Sequence, residues 1–306
     1  MLKREGRSRW FLLWYILPAF VIYTLFMLVP ILNSMRLSFF DGDGLIPSEF
    51  VGFDNYIKLF TAYPFAERFW NAFWNNIKFF LMVTVYQNIL GFLVAVLLTR
   101  GLKFSGFLKK ISFIPTTLSV LVVGFLFSMV FNPIWGIFNR IMTVVGLESL
   151  IRPWLGDTQT ALPILAFVVS WQFFGESIIF YTAGIDAIDE EILEAARIDG
   201  AGFFSEIWHI ILPSILPIVG VVTILIFVGD FTQFDIVYSM STSMGNPAYS
   251  TDIFGSLFYR AAFSSPERGG WGMGMGATVA TMMFVFVFLG VSLFLAFFNK
   301  RRAKLS

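Results

Sequence analysis

Polar side chains that interrupt long apolar runs are the first candidates for chemistry, because a hydrocarbon surrounding offers them no partners. They gather in three places here. Ser170, Gln172 and Glu176 stand with Trp171, Phe173 and Phe174 inside one apolar run. Asp230, Thr232, Gln233 and Asp235 close another, and Thr116 and Thr117 follow Pro115 in a third. Carboxylates and amides can exchange hydrogen bonds with a polar solute while aromatic faces pack on its C–H groups. The same groups also bridge helices in membrane bundles, so both readings stand at this point. A fourth cluster is acidic and lies between runs: Asp186, Asp189, Glu190, Glu191, Glu194, Asp199 and Glu206 face Arg197 alone across 185–209. Bond-making chemistry finds no support. The stretch GLKFSG (101–106) lacks the Gly-Lys-Ser/Thr of a phosphate-binding loop. No HExxH or Gly-x-Ser-x-Gly occurs, cysteine is absent, and the single histidine, His209, cannot assemble a metal site by itself.

The elements that position these groups follow from composition. The 306 residues are 57% hydrophobic and 13% charged, with a mean hydropathy of +0.77, whereas globular chains carry about 25% charged residues. Such a chain cannot cover its surface with polar groups, so lipid is its expected solvent. A net charge of +1 gives no case for nucleic acid. Six apolar runs approach the ~20 residues a membrane helix needs: 11–29, 77–98, 111–131, 161–184, 210–229 and 277–298. The first is long for a signal core and no small-x-small cleavage site follows it, so it is kept as a span. The expected fold is an all-α integral membrane protein of six transmembrane helices. It forms a single membrane domain over 1–306, with no internal repeat and no separate soluble domain.

Charge orients the spans. Lys3, Arg4, Arg7 and Arg9 precede the first; Arg100, Lys103, Lys109 and Lys110 lie between the second and third; Lys300, Arg301, Arg302 and Lys304 follow the last. These short basic segments place both termini in the cytoplasm. The outer segments (40–76, 132–160 and 230–276) are longer and carry fewer cations. Asp41-Gly42-Asp43-Gly44 lacks the later ligands of a calcium loop and is read as a turn, and the glycines of 269–276 as a flexible lead-in to the last span. On this topology the acidic segment 185–209 is cytoplasmic. Ile188, Ile192 and Ala195/Ala196 recur at helical spacing, the acids favour a helix N-terminus, and Asp199-Gly200 is a break after which a second short helix returns to the membrane. A solvated surface helix and a docking element for a basic partner groove both fit this pattern.

Glu194-Ala195-Ala196, with Gly200, Ile210 and Leu212-Pro213 at their spacing, resembles the EAA signature of binding-protein-dependent ABC importer permeases. The fuller IDEEILEAARIDGAG with IILPSILP is similar to the carbohydrate-uptake branch related to the maltose and glycerol-phosphate permeases. LPAFVIYTLFMLVPILNSMRLSFF, FVGFDNYIKLF and FDIVYSM extend the likeness over nearly the whole chain. One departure is SMSTSMGNPAYS after the fifth run, where relatives have a glycine-rich stretch.

The resemblance implies that 185–209 carries a cytoplasmic coupling helix lodged in an ATPase subunit. Glu194 would be its charged anchor, Ala195 and Ala196 its close-packing positions, and Asp199-Gly200 its turn. It implies no cofactor in this chain, with ATP and Mg on two cytoplasmic ATPase subunits, a second and different permease, and an extracytoplasmic solute-binding protein. It also implies a bacterial or archaeal cytoplasmic membrane. It puts Gln172, Phe173, Glu176, Asp230 and Gln233, and through Pro115 also Thr116, at or beside the sugar path. The expected function is half of a translocation pathway for a sugar, oligosaccharide or polyol, without enzyme activity in this chain. No Lys or Arg lies in the central part of any run, which favours a neutral substrate, an amino sugar included. The competing class is a stand-alone ion-coupled secondary transporter with Glu176 and Asp230 as its titrating groups. It leaves the acidic loop without a role and lacks the inverted repeats many such carriers show.

Overall fold

The computed structural model describes residues 5–41, 47–264 and 271–302, with the backbone alone described at 5–13 and 299–302. Lys3, Arg4, Lys304, Arg268, Gly269 and the Asp41–Gly44 turn beyond Asp41 lie outside the described residues. In chain order the helices are α1 (Glu5–Tyr23), α2 (Val29–Leu37), α3 (Asp54–Thr61), α4 (Phe65–Thr84), α5 (Gly91–Leu98), α6 (Ser105–Phe113), α7 (Val120–Val130) and α8 (Ile137–Val144). There follow α9 (Ala161–Asp186), α10 (Glu190–Ile198), α11 (Phe203–Glu206), α12 (Leu212–Phe231), α13 (Asp235–Ser241), α14 (Phe254–Phe263) and α15 (Met273–Arg302). Wide π turns at Thr24–Leu28, Val85–Leu90 and Ile207–Ile211 join α1 to α2, α4 to α5 and α11 to α12 without breaking the helix. The last of these turns leads directly into Pro213, which has no N–H for the ladder.

Five continuous helices are long and apolar enough to cross a membrane: Trp14–Leu37, Phe65–Leu98, Ala161–Asp186, Phe203–Phe231 and Met273–Phe298. They coincide with five of the expected apolar runs and extend several of them, because a helix continues into the polar interface where hydropathy already falls. The expected third span, 111–131, is not one straight helix. It starts earlier, at Ser105, and Ser105–Thr117 meets Val120–Val130 at a 97° bend. Pro115 tightens the preceding turn into the 3₁₀ segment Ile114–Thr117, and Leu118 and Ser119 then adopt extended backbone.

The chain divides into two compact units. The smaller comprises residues up to 66 together with 258–282. Its strand pair, β1 (Phe40–Asp41) and β2 (Glu49–Phe50), is antiparallel with Phe40 opposite Phe50. Buried Asn55 donates to the carbonyls of Ser38 and Phe40, both at 3.0 Å, and so fixes the chain as it leaves α2.

The larger unit, 67–257 with 283–306, is organised around α9, whose buried positions run along its whole length. Close approach is set at Gly175, where a Cβ would stand 2.3 Å from the Ser112 carbonyl oxygen and 2.6 Å from Phe113 Cα. Only glycine lets α9 reach the broken span there. A buried polar chain crosses three spans: the Tyr181 hydroxyl of α9 donates to Asn88 Oδ1 at 2.5 Å, and Asn88 Nδ2 donates to Thr223 Oγ1 of α12 at 3.0 Å. Three asparagines of α4 hold the segment before α14. Asn71 and Asn75 donate to the Tyr249 carbonyl, Asn75 also to that of Asp252, and Asn76 accepts from the Phe254 N–H at 2.7 Å.

Candidate functional site

Three helix faces of the larger unit converge on a cavity of about 290 Å3. Phe173, Glu176, Ser177 and Phe180 reach it from α9 at the i, i+3, i+4, i+7 spacing of one helical face. Val222, Leu225, Ile226, Gly229 and Asp230 do so from α12, with Thr232 and Gln233 from the turn that ends it. Val83 of α4 and Gln87 of the following π turn close another side, and Val169 of α9 and Val120 of α7 complete the lining. The wall thus carries two carboxylates, two primary amides and two phenyl rings, with no Lys or Arg among its lining residues.

Asp230 is the most committed of these groups. It is 3% exposed, its backbone carbonyl accepts from Asn76 Nδ2 at 3.0 Å, and its Oδ2 is buried with no partner among the described residues. A buried acceptor left unsatisfied is costly, so this oxygen is suited to a donor brought in from outside the chain. Asn76 holds the backbone at this point and leaves the carboxylate to the cavity. Gln233 is half-buried, and its Oε1 accepts from the Phe234 N–H at 3.1 Å.

Of the six residues expected along a solute path, Phe173, Glu176, Asp230 and Gln233 come together on this wall. Thr116 and Gln172 are brought to each other beside it. Thr116 Oγ1 donates to the Gln172 carbonyl at 2.9 Å, and Gln172 Nε2 donates to the Leu118 carbonyl at 3.0 Å. They therefore satisfy backbone where the third span breaks, with Gln172 fully buried. Sequence reasoning missed Gln87, Ser177 and Phe180. The signal for Gln87 was an amide inside a run as apolar as 77–98, and for the other two a continuation of the Phe173 face by one and two turns.

The acidic segment forms α10, which contains Glu194, Ala195 and Ala196 and ends in Asp199 and Gly200. Gly200 has φ +86°, its N–H donates to the Arg197 carbonyl and the Ala201 N–H to that of Ala196, which together close the helix in a Schellman motif. Glu194, Ala195, Asp199 and Gly200 are exposed and Ala196 is half-exposed. Large apolar side chains are exposed along with them: Ile198 is 86% exposed and Ile192 50%. An apolar and acidic stripe on a short connecting helix has the composition of a contact surface.

With this geometry in place, comparison with known proteins identifies the chain. A sequence profile described as the binding-protein-dependent transport system inner membrane component matches residues 87–304. The chain belongs to this family. A probable ABC transporter permease protein of Bacillus subtilis, YurN, is 31% identical over 258 residues, covering 83% of this chain and 86% of the relative. The lactose transport system permease protein LacF of Rhizobium radiobacter is 29% identical over 250 residues, 81% of this chain and 82% of the relative. A chain from the crystal structure of a bacterial ABC transporter involved in the import of the acidic polysaccharide alginate has the same fold, with a TM-score of 0.78, 19% identity and 96% coverage of both chains. As a member of this family the permease is a multi-pass inner-membrane component and a transport subunit rather than an enzyme.

Proposed function

We propose that this permease forms half of the translocation pathway of an ATP-binding-cassette importer for a neutral or aminated sugar, oligosaccharide or polyol. The observation that carries the reading is the cavity lined by Glu176, Asp230, Gln87 and Gln233 with Phe173 and Phe180, in a member of this family. Hydroxyl groups find acceptors and donors on the carboxylates and amides, and the sugar's C–H faces find the two rings. A wall without Lys or Arg gives a uronate or a phosphorylated sugar no cation to pair with. LacF, named for lactose, has a substrate of the favoured kind. The alginate importer shares the fold at an identity too low to set the substrate.

Thr116 and Gln172 serve the same path through the break in the third span that they hold. The coupling residues are Glu194, Ala195, Ala196, Asp199 and Gly200, with α10 docking on a cytoplasmic ATPase through its exposed stripe. ATP and Mg belong to two such ATPase subunits, a second and different permease completes the pathway, and an extracytoplasmic solute-binding protein delivers the sugar. The whole chain acts as one membrane domain in the bilayer, with both termini in the cytoplasm by the bias of its short basic segments.

The test is purification of the tagged chain from its native membrane in mild detergent, with co-purifying polypeptides identified by mass spectrometry. Recovery of a Walker-motif ATPase together with a second EAA-bearing permease is the expected result. A chain that purifies alone and still supports uptake in liposomes without ATP refutes the proposal in favour of an ion-coupled carrier.

A further inference from the structure

Glu206 lies on the acidic segment, but its side chain is 4% exposed, so it does not face a partner as its neighbours do. It occupies the first turn of the continuous helix Phe203–Phe231, and its two oxygens are held by guanidinium groups from two other elements. Oε2 is 3.0 Å from Nη2 of Arg100, in the segment that leaves α5. Oε1 accepts from Nη2 of Arg197, in the last turn of α10, at 3.2 Å. Arg100 is further fixed by lying over the Phe203 ring, 4.4 Å from its centroid. A single carboxylate thereby ties together the end of the second span, the C-terminal end of α10 and the start of the fifth span. The surrounding cavity, about 560 Å3, is lined by Arg100, Arg197, Asp186, Glu190 and Glu206 on its charged side and by Ile185, Ile188, Leu193 and Ile211 on its apolar side.

Alternative attachments of α10 are sparse. Leu193 and the preceding Ile188 pack partly against the core, while Ile192, Ala195 and Ile198 face outward. Exposed ion pairs contribute little, but a buried carboxylate loses its compensation when either guanidinium moves away. The three elements are therefore constrained to move with one another.

We infer that Glu206 is a positioning residue through which displacement of α10 is transmitted to the second and fifth spans, by way of the Arg197–Glu206–Arg100 bridge. The inference rests on the proposed reading of α10 as the element on which the ATPase acts. The fifth span contributes Asp230 to the cavity and the second contributes Val83 and Gln87. A stroke delivered at Arg197 therefore reaches both walls through a single carboxylate.

The test uses the complete importer, reconstituted in sealed proteoliposomes, with ATP hydrolysis and sugar uptake measured on the same vesicles. In Glu206→Gln, hydrolysis persists while the number of sugars imported per ATP falls about 10-fold, the scale of a typical coupling free energy between sites. Glu206→Asp, which keeps the charge, recovers part of the ratio. A side chain that only supports folding lowers both activities together with the amount of assembled complex, and an unchanged ratio in Glu206→Gln overturns the inference. Should that variant fail to assemble, Arg197→Gln removes one arm of the bridge at a half-exposed position. A lowered ratio supports the inference and an unaltered one overturns it. If the unmodified complex imports sugar without hydrolysing ATP, the importer reading itself falls, independently of Glu206.

Discussion

At the scale of single residues, groups that line the cavity are distinct from groups that hold backbone beside it. Asp230 presents an unpartnered oxygen, and Glu176 is half-buried on the facing helix. Leaving one partner of a buried hydrogen bond unsatisfied costs about 1–3 kcal/mol, and about 1.4 kcal/mol is a tenfold change in affinity. Glu176→Gln and Asp230→Asn should therefore each raise the half-saturating sugar concentration for uptake about 10-fold. Unchanged kinetics in either variant removes that residue from the path. Tyr181 acts differently, since its hydroxyl satisfies Asn88 in the dry interior. Tyr181→Phe strands that acceptor and should cost about 1–3 kcal/mol, seen as a lower thermal midpoint in detergent. A midpoint equal to that of the unmodified chain would show that Asn88 finds another donor.

At the scale of elements, close helix approach and one reversal of direction decide the architecture. Gly175→Ala drives a Cβ into the Ser112 and Phe113 backbone. Backbone cannot swing aside like a flexible side chain, so the cost should reach at least the ~1–3 kcal/mol of an overpacked core. The yield of folded protein and its thermal midpoint measure it. Gly200→Pro is incompatible with φ +86°. It should abolish ATP-driven uptake while overall helicity by circular dichroism is retained; uptake at the unmodified rate would contradict a role for the turn. Most of these elements are legible in the sequence. The apolar runs are about as long as a bilayer core is thick, and α10 with its Gly200 stop follows from helical spacing and from the residue type that best tolerates a left-handed cap. The bend in the third span was hidden because the hydropathy of 111–131 reports lipid contact and not direction, even where Thr116, Thr117 and Ser119 interrupt the run. Pro115 was the only clue. Gln87 and Asn88 were missed for a related reason: the π turn Val85–Leu90 shifts the helix face at that point, and regular periodicity does not encode such a shift.

At the scale of the whole molecule, the exposed spans describe a subunit made to be surrounded. Within their most apolar windows, Trp14–Leu37 has none of its residues buried and Met273–Phe298 has 6%, which suits contact with lipid or with another subunit and not with water. The central claim is that movement of a sugar through this permease is driven by ATP hydrolysed elsewhere. The most direct test is uptake of radiolabelled neutral sugar into proteoliposomes containing the purified assembly and its solute-binding protein. ATP is enclosed inside the vesicles, and ion gradients are collapsed by ionophores. The account predicts uptake that continues without ion gradients and stops when ATP is replaced by a non-hydrolysable analogue. Uptake that follows a proton or sodium gradient and ignores ATP would contradict it.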